Sequence, residues 1–208
     1  MTTALEEKPE QISAPRRILW TRNQVEALQE KGFLDRNRRY EIIEGEIYEM
    51  SENPPHAGAV LLLRNFLQNV FGQDFVRSQT AVDVGTADPT LNSPLPDIAV
   101  TREAIPAYFG RFPGPDDLLL VAEVSDTTLR YDLRQKARLY AQAGFVEYWV
   151  VDITGRRLVV HRQPGAAGYT DVSIYMEGQQ VATLARPDRP VNVANLLPTV
   201  DDDSGAKG

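Results

Sequence analysis

LLLVAEVSDTTLRYDLRQKARLYAQAGFVEYWVVD, residues 118–152, reads as strand, turn, helix, strand. Leu118 to Val124 is almost continuously apolar, the pattern of a strand buried on both faces. Glu123 interrupts it near the end. In the helix that follows, Leu133, Ala137, Tyr140 and Gly144 recur at helical spacing and make one face. Lys136 lies on that face, between Leu133 and Tyr140. A carboxylate in a buried strand and an amine on the buried side of the next helix are each costly alone. Together they make a candidate site. A helix crossing between two strands predicts a parallel pair.

Outward from this unit the pattern is mixed. Thr21 caps a short helix, TRNQVEALQEKG, with Val25 and Leu28 on its apolar side and Gly32 as its stop. YEIIEGEIYEM, residues 40–50, predicts a hairpin turning at Glu44-Gly45. Pro54-Pro55 reads as a break, and His56–Phe71 as a helix ending before Gly72. Residues 75–79, 81–85, 97–101 and 157–162 read as strands, and 169–175 with 180–184 as a final hairpin. Residues 88–94 and 105–117 read as loops, the second with a helical turn. The expectation is one α/β (α+β) domain over residues 20–200, preceded by a loose arm (1–19) and followed by an acidic tail (201–208).

The 208 residues carry a formal net charge of -7 and no cysteine. That excludes disulfides and thiolate chemistry, and it argues against a surface made for non-specific nucleic-acid binding. Charge is uneven, however. Residues 124–163 hold seven Lys and Arg against four Asp and Glu, so the candidate site lies in the mildly basic part. A mixed solvated surface explains the same count. No apolar run approaches the ~20 residues of a membrane span, and the N-terminus has no signal-like apolar segment. A soluble, cytoplasmic chain is expected.

Asp97 opens a short strand after Pro96, 26 residues before Glu123. Two carboxylates at neighbouring strand ends can hold a hard divalent cation through oxygen, leaving waters on it. The cation would activate a water against a phosphodiester, and Lys136 would orient that water or offset developing charge. The structural alternatives are a buried Glu123–Lys136 pair and a surface bridge from Asp132 to Lys136. His56 reads as a cap or packing residue, with phosphate contact as the alternative. His161, Tyr140, Tyr148 and Trp149 read as structural.

Pro96-Asp97, then Glu123-Val124-Ser125, then Lys136 resembles the PD-(D/E)xK nuclease pattern with a migrated lysine. YEIIEGEIYEM, Pro55-His56, LPDIAV and the 118–152 stretch together resemble the bacterial putative restriction endonuclease family of that superfamily. The resemblance implies a restriction-endonuclease-like core, a central mixed sheet flanked by helices. It implies a Mg2+ site (Mn2+ as substitute) built by Asp97 and Glu123, with Lys136 as catalytic lysine and Glu41 as a companion acid. The departure is Ser125, which stands where the lysine normally follows the glutamate. Glu41 is favoured over Glu44 because Glu44 sits in the turn. The implied activity is metal-dependent DNA hydrolysis; a homodimer is expected separately, because cutting both strands of a duplex is simplest with two sites and a two-fold dimer is the commonest oligomer. A nuclease-fold module that binds without cutting, or a phosphodiesterase acting on RNA or nucleotides, are the rivals.

Overall fold

The computed structural model describes residues 16–199 except 52 and 86–88. The expected tail (201–208) and most of the expected arm lie outside the described residues; Arg16–Leu19 is exposed and irregular. Thr21 caps α1 (Arg22–Glu30) through a reciprocal capping box with Gln24. A hairpin of β1 (Arg39–Ile43) and β2 (Glu46–Met50) follows. Its turn holds Glu44 and Gly45 at φ 52° and 77°, the pair of left-handed residues that a tight two-residue hairpin demands. A Cβ at Gly45 would also meet Leu19 Cβ at 2.6 Å.

Helix α2 spans Pro54–Phe71, with Asn53 as its cap. Pro54-Pro55 is therefore not a break but the first turn, where a missing N–H costs nothing because those N–H groups have no intrahelical acceptor. The chain then builds β3 (Val76–Ser78), β4 (Ile98–Thr101) and β5 (Leu118–Ser125). A helical rod follows in three parts: α3 (Leu129–Tyr131), a π turn (Asp132–Lys136) and α4 (Ala137–Ala143). It stops at Gly144, whose φ of 86° supplies the left-handed cap. Strands β6 (Glu147–Asp152), β7 (Arg157–Gly165) and β8 (Gly168–Met176) complete a six-stranded sheet in the order β3-β4-β5-β6-β7-β8. Only β5 and β6 are parallel neighbours, joined by the rod as expected.

Two strand expectations fail. Residues 81–85 are irregular, although Ala81, Val82 and Val84 are buried as in a strand. Their backbone N–H groups go to loops instead, Val82 to Pro94 O and Asp83 to Pro113 O. The final hairpin is also re-paired: β8 pairs with β7, while β9 (Gln180–Val181) pairs with β10 (Val191–Asn192). The expected mixed sheet flanked by helices holds.

The sheet buries both faces. Leu120, Ala122 and Val124 join α2's Leu63 and Leu67 on one side; Val121 joins α4's Ala137 and Tyr140 on the other. Strand alternation puts Glu123 and Ser125 on the face of Val121, towards the rod. Ile98 stands opposite Ala122, so Asp97 lies across from Glu123 on that same face. Among the described residues no helix is long and apolar enough to cross a membrane.

Candidate active site

Four buried carboxylates and one buried ammonium meet where β4 begins and β5 ends. Glu41, Asp97, Glu123, Asp132 and Lys136 are each 1–3% exposed. Lys136 Nζ lies 2.9 Å from Glu123 Oε1 and 3.0 Å from Glu41 Oε2. The Tyr140 hydroxyl donates to the same Glu123 Oε1 at 3.0 Å. Asp97 is clamped from its neighbour strand: its Oδ2 accepts from Val124 N at 2.8 Å, and its own N–H donates to Glu123 Oε2 at 3.3 Å. The four residues expected at the site, Glu41, Asp97, Glu123 and Lys136, are thus brought together.

Local folding explains each placement. The hairpin is not part of the central sheet; it docks on the segment that leads into Asp97. Ile42 and Ser93 exchange backbone bonds at 3.3 and 2.7 Å, and Leu95 N donates to Glu41 Oε2 at 3.3 Å. Glu41 is carried in with it, while Glu44 stays in the turn, exposed, and pairs with Arg138 at 2.6 Å. Lys136 reaches back to β5 from the end of the π turn, a widened helical geometry common at functional sites. The Tyr148 hydroxyl donates to the Asp132 carbonyl inside that turn at 3.2 Å.

Asp132 is not the surface partner of Lys136 that helix spacing suggested. Its carboxylate accepts from Ser125 Oγ and Thr128 Oγ1, both at 2.6 Å, so Ser125 holds Asp132 in the space after Glu123. His56 does not open α2, which begins at Pro54, but it does more than sit in the first turn. Its backbone N–H is capped by Asn53 at 3.0 Å, and its Nε2 lies 3.3 Å from Asp97 Oδ2. Tyr140 packs as core, as its spacing implied, but its hydroxyl also belongs to the site; apolar periodicity gave no signal of that. His161 is buried between Tyr148 and Tyr169, a structural place.

The electrostatics are lopsided. Burial pushes Glu123 well up; Lys136 opposes this, while Asp97, Asp132 and Glu41 add to it. Asp132 is raised for the same first reason, against Lys136 and its two hydroxyl donors. Burial works against the charge of Lys136, but Glu123, Glu41 and Asp132 outweigh it and raise the ammonium. Four carboxylates therefore face one fixed cation, a cluster that needs protons or a further cation. The donors are oxygens, which suits a hard divalent ion. Among the described residues no three His, Cys, Asp or Glu side chains form a ready-made metal cage. Two carboxylates with several retained waters is the mode Mg2+ prefers. The cluster floors an open cleft of about 420 Å³, whose rim includes Glu49, Ser51, Asp126 and Thr128.

A family model described as "Putative restriction endonuclease" (Uma2) matches residues 23–191. The chain belongs to this family. A crystal structure titled as a putative nuclease belonging to DUF820, from Anabaena variabilis, is similar to this Uma2 chain at 14% identity and a TM-score of 0.64. The match covers 85% of this chain and 96% of that one, and shows a shared fold. A search of curated proteins finds no match.

Proposed function

We propose that this Uma2-family protein is a divalent-metal-dependent endonuclease that hydrolyses DNA phosphodiester bonds. The observation that carries the reading is the convergence of Asp97, Glu123, Lys136 and Glu41 on one open cleft. Asp97 and Glu123 are the proposed ligands of Mg2+, or Mn2+ in its place. That ion would polarise the scissile phosphate and lower the pKa of an attacking water.

The chain's own residues supply the rest. Lys136 orients the water and offsets the charge that grows on the phosphate oxygens. Glu41 and Glu123 fix the Lys136 ammonium from two sides, and Tyr140 fixes the Glu123 carboxylate. Water oxygen forms the new bond to phosphorus as the bond to the leaving oxygen breaks, with one proton lost from the water and one gained by the leaving oxygen.

Two copies related by a two-fold axis would cut both strands of a duplex, so we include a homodimer in the proposal; sedimentation equilibrium tests it. The test of the activity is plasmid cleavage in Mg2+ or Mn2+ by the wild type beside Asp97→Asn. Cleavage by the wild type alone is expected, and equal cleavage by both proteins overturns the assignment. The net charge of -7 favours one rival, a nuclease-fold module that binds without cutting. Salt-dependent DNA binding with no cleavage in either metal supports that rival.

A further inference from the structure

The cleft floor that suits a metal ion repels a nucleic-acid strand. Its described lining holds Glu41, Asp97, Glu123 and Asp132, with Glu49 and Asp126 at the rim, against the single lysine. Backbone attraction must come from beside the cleft. One groove, of about 550 Å³, runs off it along α3 and the π turn, sharing Thr127, Thr128 and Tyr131 with the cleft. Arg130 and Arg134 line this groove. They are four residues apart on an exposed helical face, which makes them surface neighbours.

What separates these two arginines from those around them is that neither is neutralised by a described carboxylate. Arg138 pairs with Glu44 at 2.6 Å, and Arg157 with Asp152 at 2.7 Å. Arg156 is bound to Glu177, and Arg39, in the recess on the other side of Asp97, donates to Gln79. Arg130 and Arg134 make no ion pair among the described residues. Exposed, adjacent, unneutralised guanidinium groups beside an acidic catalytic floor suit phosphate oxygens, which arginine can meet in a bidentate fork.

We propose that the Arg130–Arg134 groove is the track that holds the phosphodiester backbone of the strand being cut, leading it past Thr127 and Thr128 into the cleft. This rests on the nuclease reading. The two arginines contact phosphates only, so they position every sequence alike and specify none.

The test is binding of a fluorescein-labelled duplex and of its single strand, by anisotropy across a salt series. Ca2+ replaces Mg2+ so that binding is read apart from cutting. Removing two phosphate contacts in Arg130→Gln/Arg134→Gln should weaken binding to all sequences and lower the slope of log affinity against log salt by about 2. Mn2+ affinity and melting temperature should stay at wild-type values. A control, Arg189→Gln, sits on the turn that Arg186 ties to Val70 at the far end of α2, and should leave the slope unchanged. A fall with the duplex assigns the track to double-stranded substrate, and a fall with the single strand alone assigns it to single-stranded substrate. A wild type that binds and cuts, beside a double variant of unchanged slope, overturns the track and leaves the nuclease standing. A wild type that binds neither oligonucleotide overturns both.

Discussion

Replacing Lys136 by methionine isolates what the ammonium does for the cluster. The side chain is 1% exposed and bridges Glu41 and Glu123 at 3.0 and 2.9 Å. Methionine keeps most of the volume and removes only the charge and its donors. Removing one partner of a buried ion pair costs about 3–5 kcal/mol, because the other charge is stranded away from water. Here two carboxylates are stranded, so the upper part of that range is expected at pH 8. Low pH should relieve it. Glu123 is already pushed up by burial, and the charge of Lys136 opposes that rise. Its pKa must therefore rise further in the variant, and each further unit makes the loss about 1.4 kcal/mol smaller at pH 5 than at pH 8. Urea unfolding, followed through the buried Trp149, reads both values. A loss under about 1 kcal/mol at pH 8, or one that does not change with pH, would mean that Lys136 does not neutralise the two carboxylates.

Two further outcomes follow from the same geometry. Glu123 and Asp132 are both raised, chiefly by burial, so the folded chain keeps protons that the unfolded chain releases above about pH 4. Metal-free stability from these groups is greatest at low pH and falls as pH rises through their folded values. His161, lowered by burial, runs the other way up to about pH 6.5. Comparison of the wild type with Glu123→Gln cancels the histidine; the difference should change as pH rises above about 4 towards the raised folded value of Glu123, and a flat difference contradicts the shift. Tyr140→Phe removes the 3.0 Å hydroxyl bond to Glu123 and should weaken Mn2+ affinity about 10–100-fold with the fold intact. Unchanged affinity would reduce Tyr140 to core packing.

Much of the fold was legible because local signals agreed with one another. The apolar run of β5, the helical face of Leu133, Ala137 and Tyr140, and the Glu44-Gly45 turn each had one physical solution. Burial of Glu123 and Lys136 on facing elements could be inferred because strand and helix periods both pointed inward. The misreadings share a cause, namely partners distant in sequence. Residues 81–85 look like a strand, yet the backbone N–H groups of Val82 and Asp83 go to loop carbonyls at Pro94 and Pro113. Gln180–Val181 looks like the mate of β8, yet it pairs with Val191–Asn192. The links from His56 to Asp97, Tyr140 to Glu123 and Ser125 to Asp132 are tertiary, and no spacing announces them. Pro54-Pro55 was different: proline both breaks helices and begins them, and only the Asn53 cap decided which.

In the proposed reading Asp97 and Glu123 hold a divalent cation in this cleft. Calorimetric titration of Mn2+ into the wild type and into Glu123→Gln at pH 8 tests it most directly. Saturable binding is expected in the wild type, lost in a variant that still folds. Binding that survives unchanged in Glu123→Gln, or a wild type that takes up no metal even with DNA present, would contradict it.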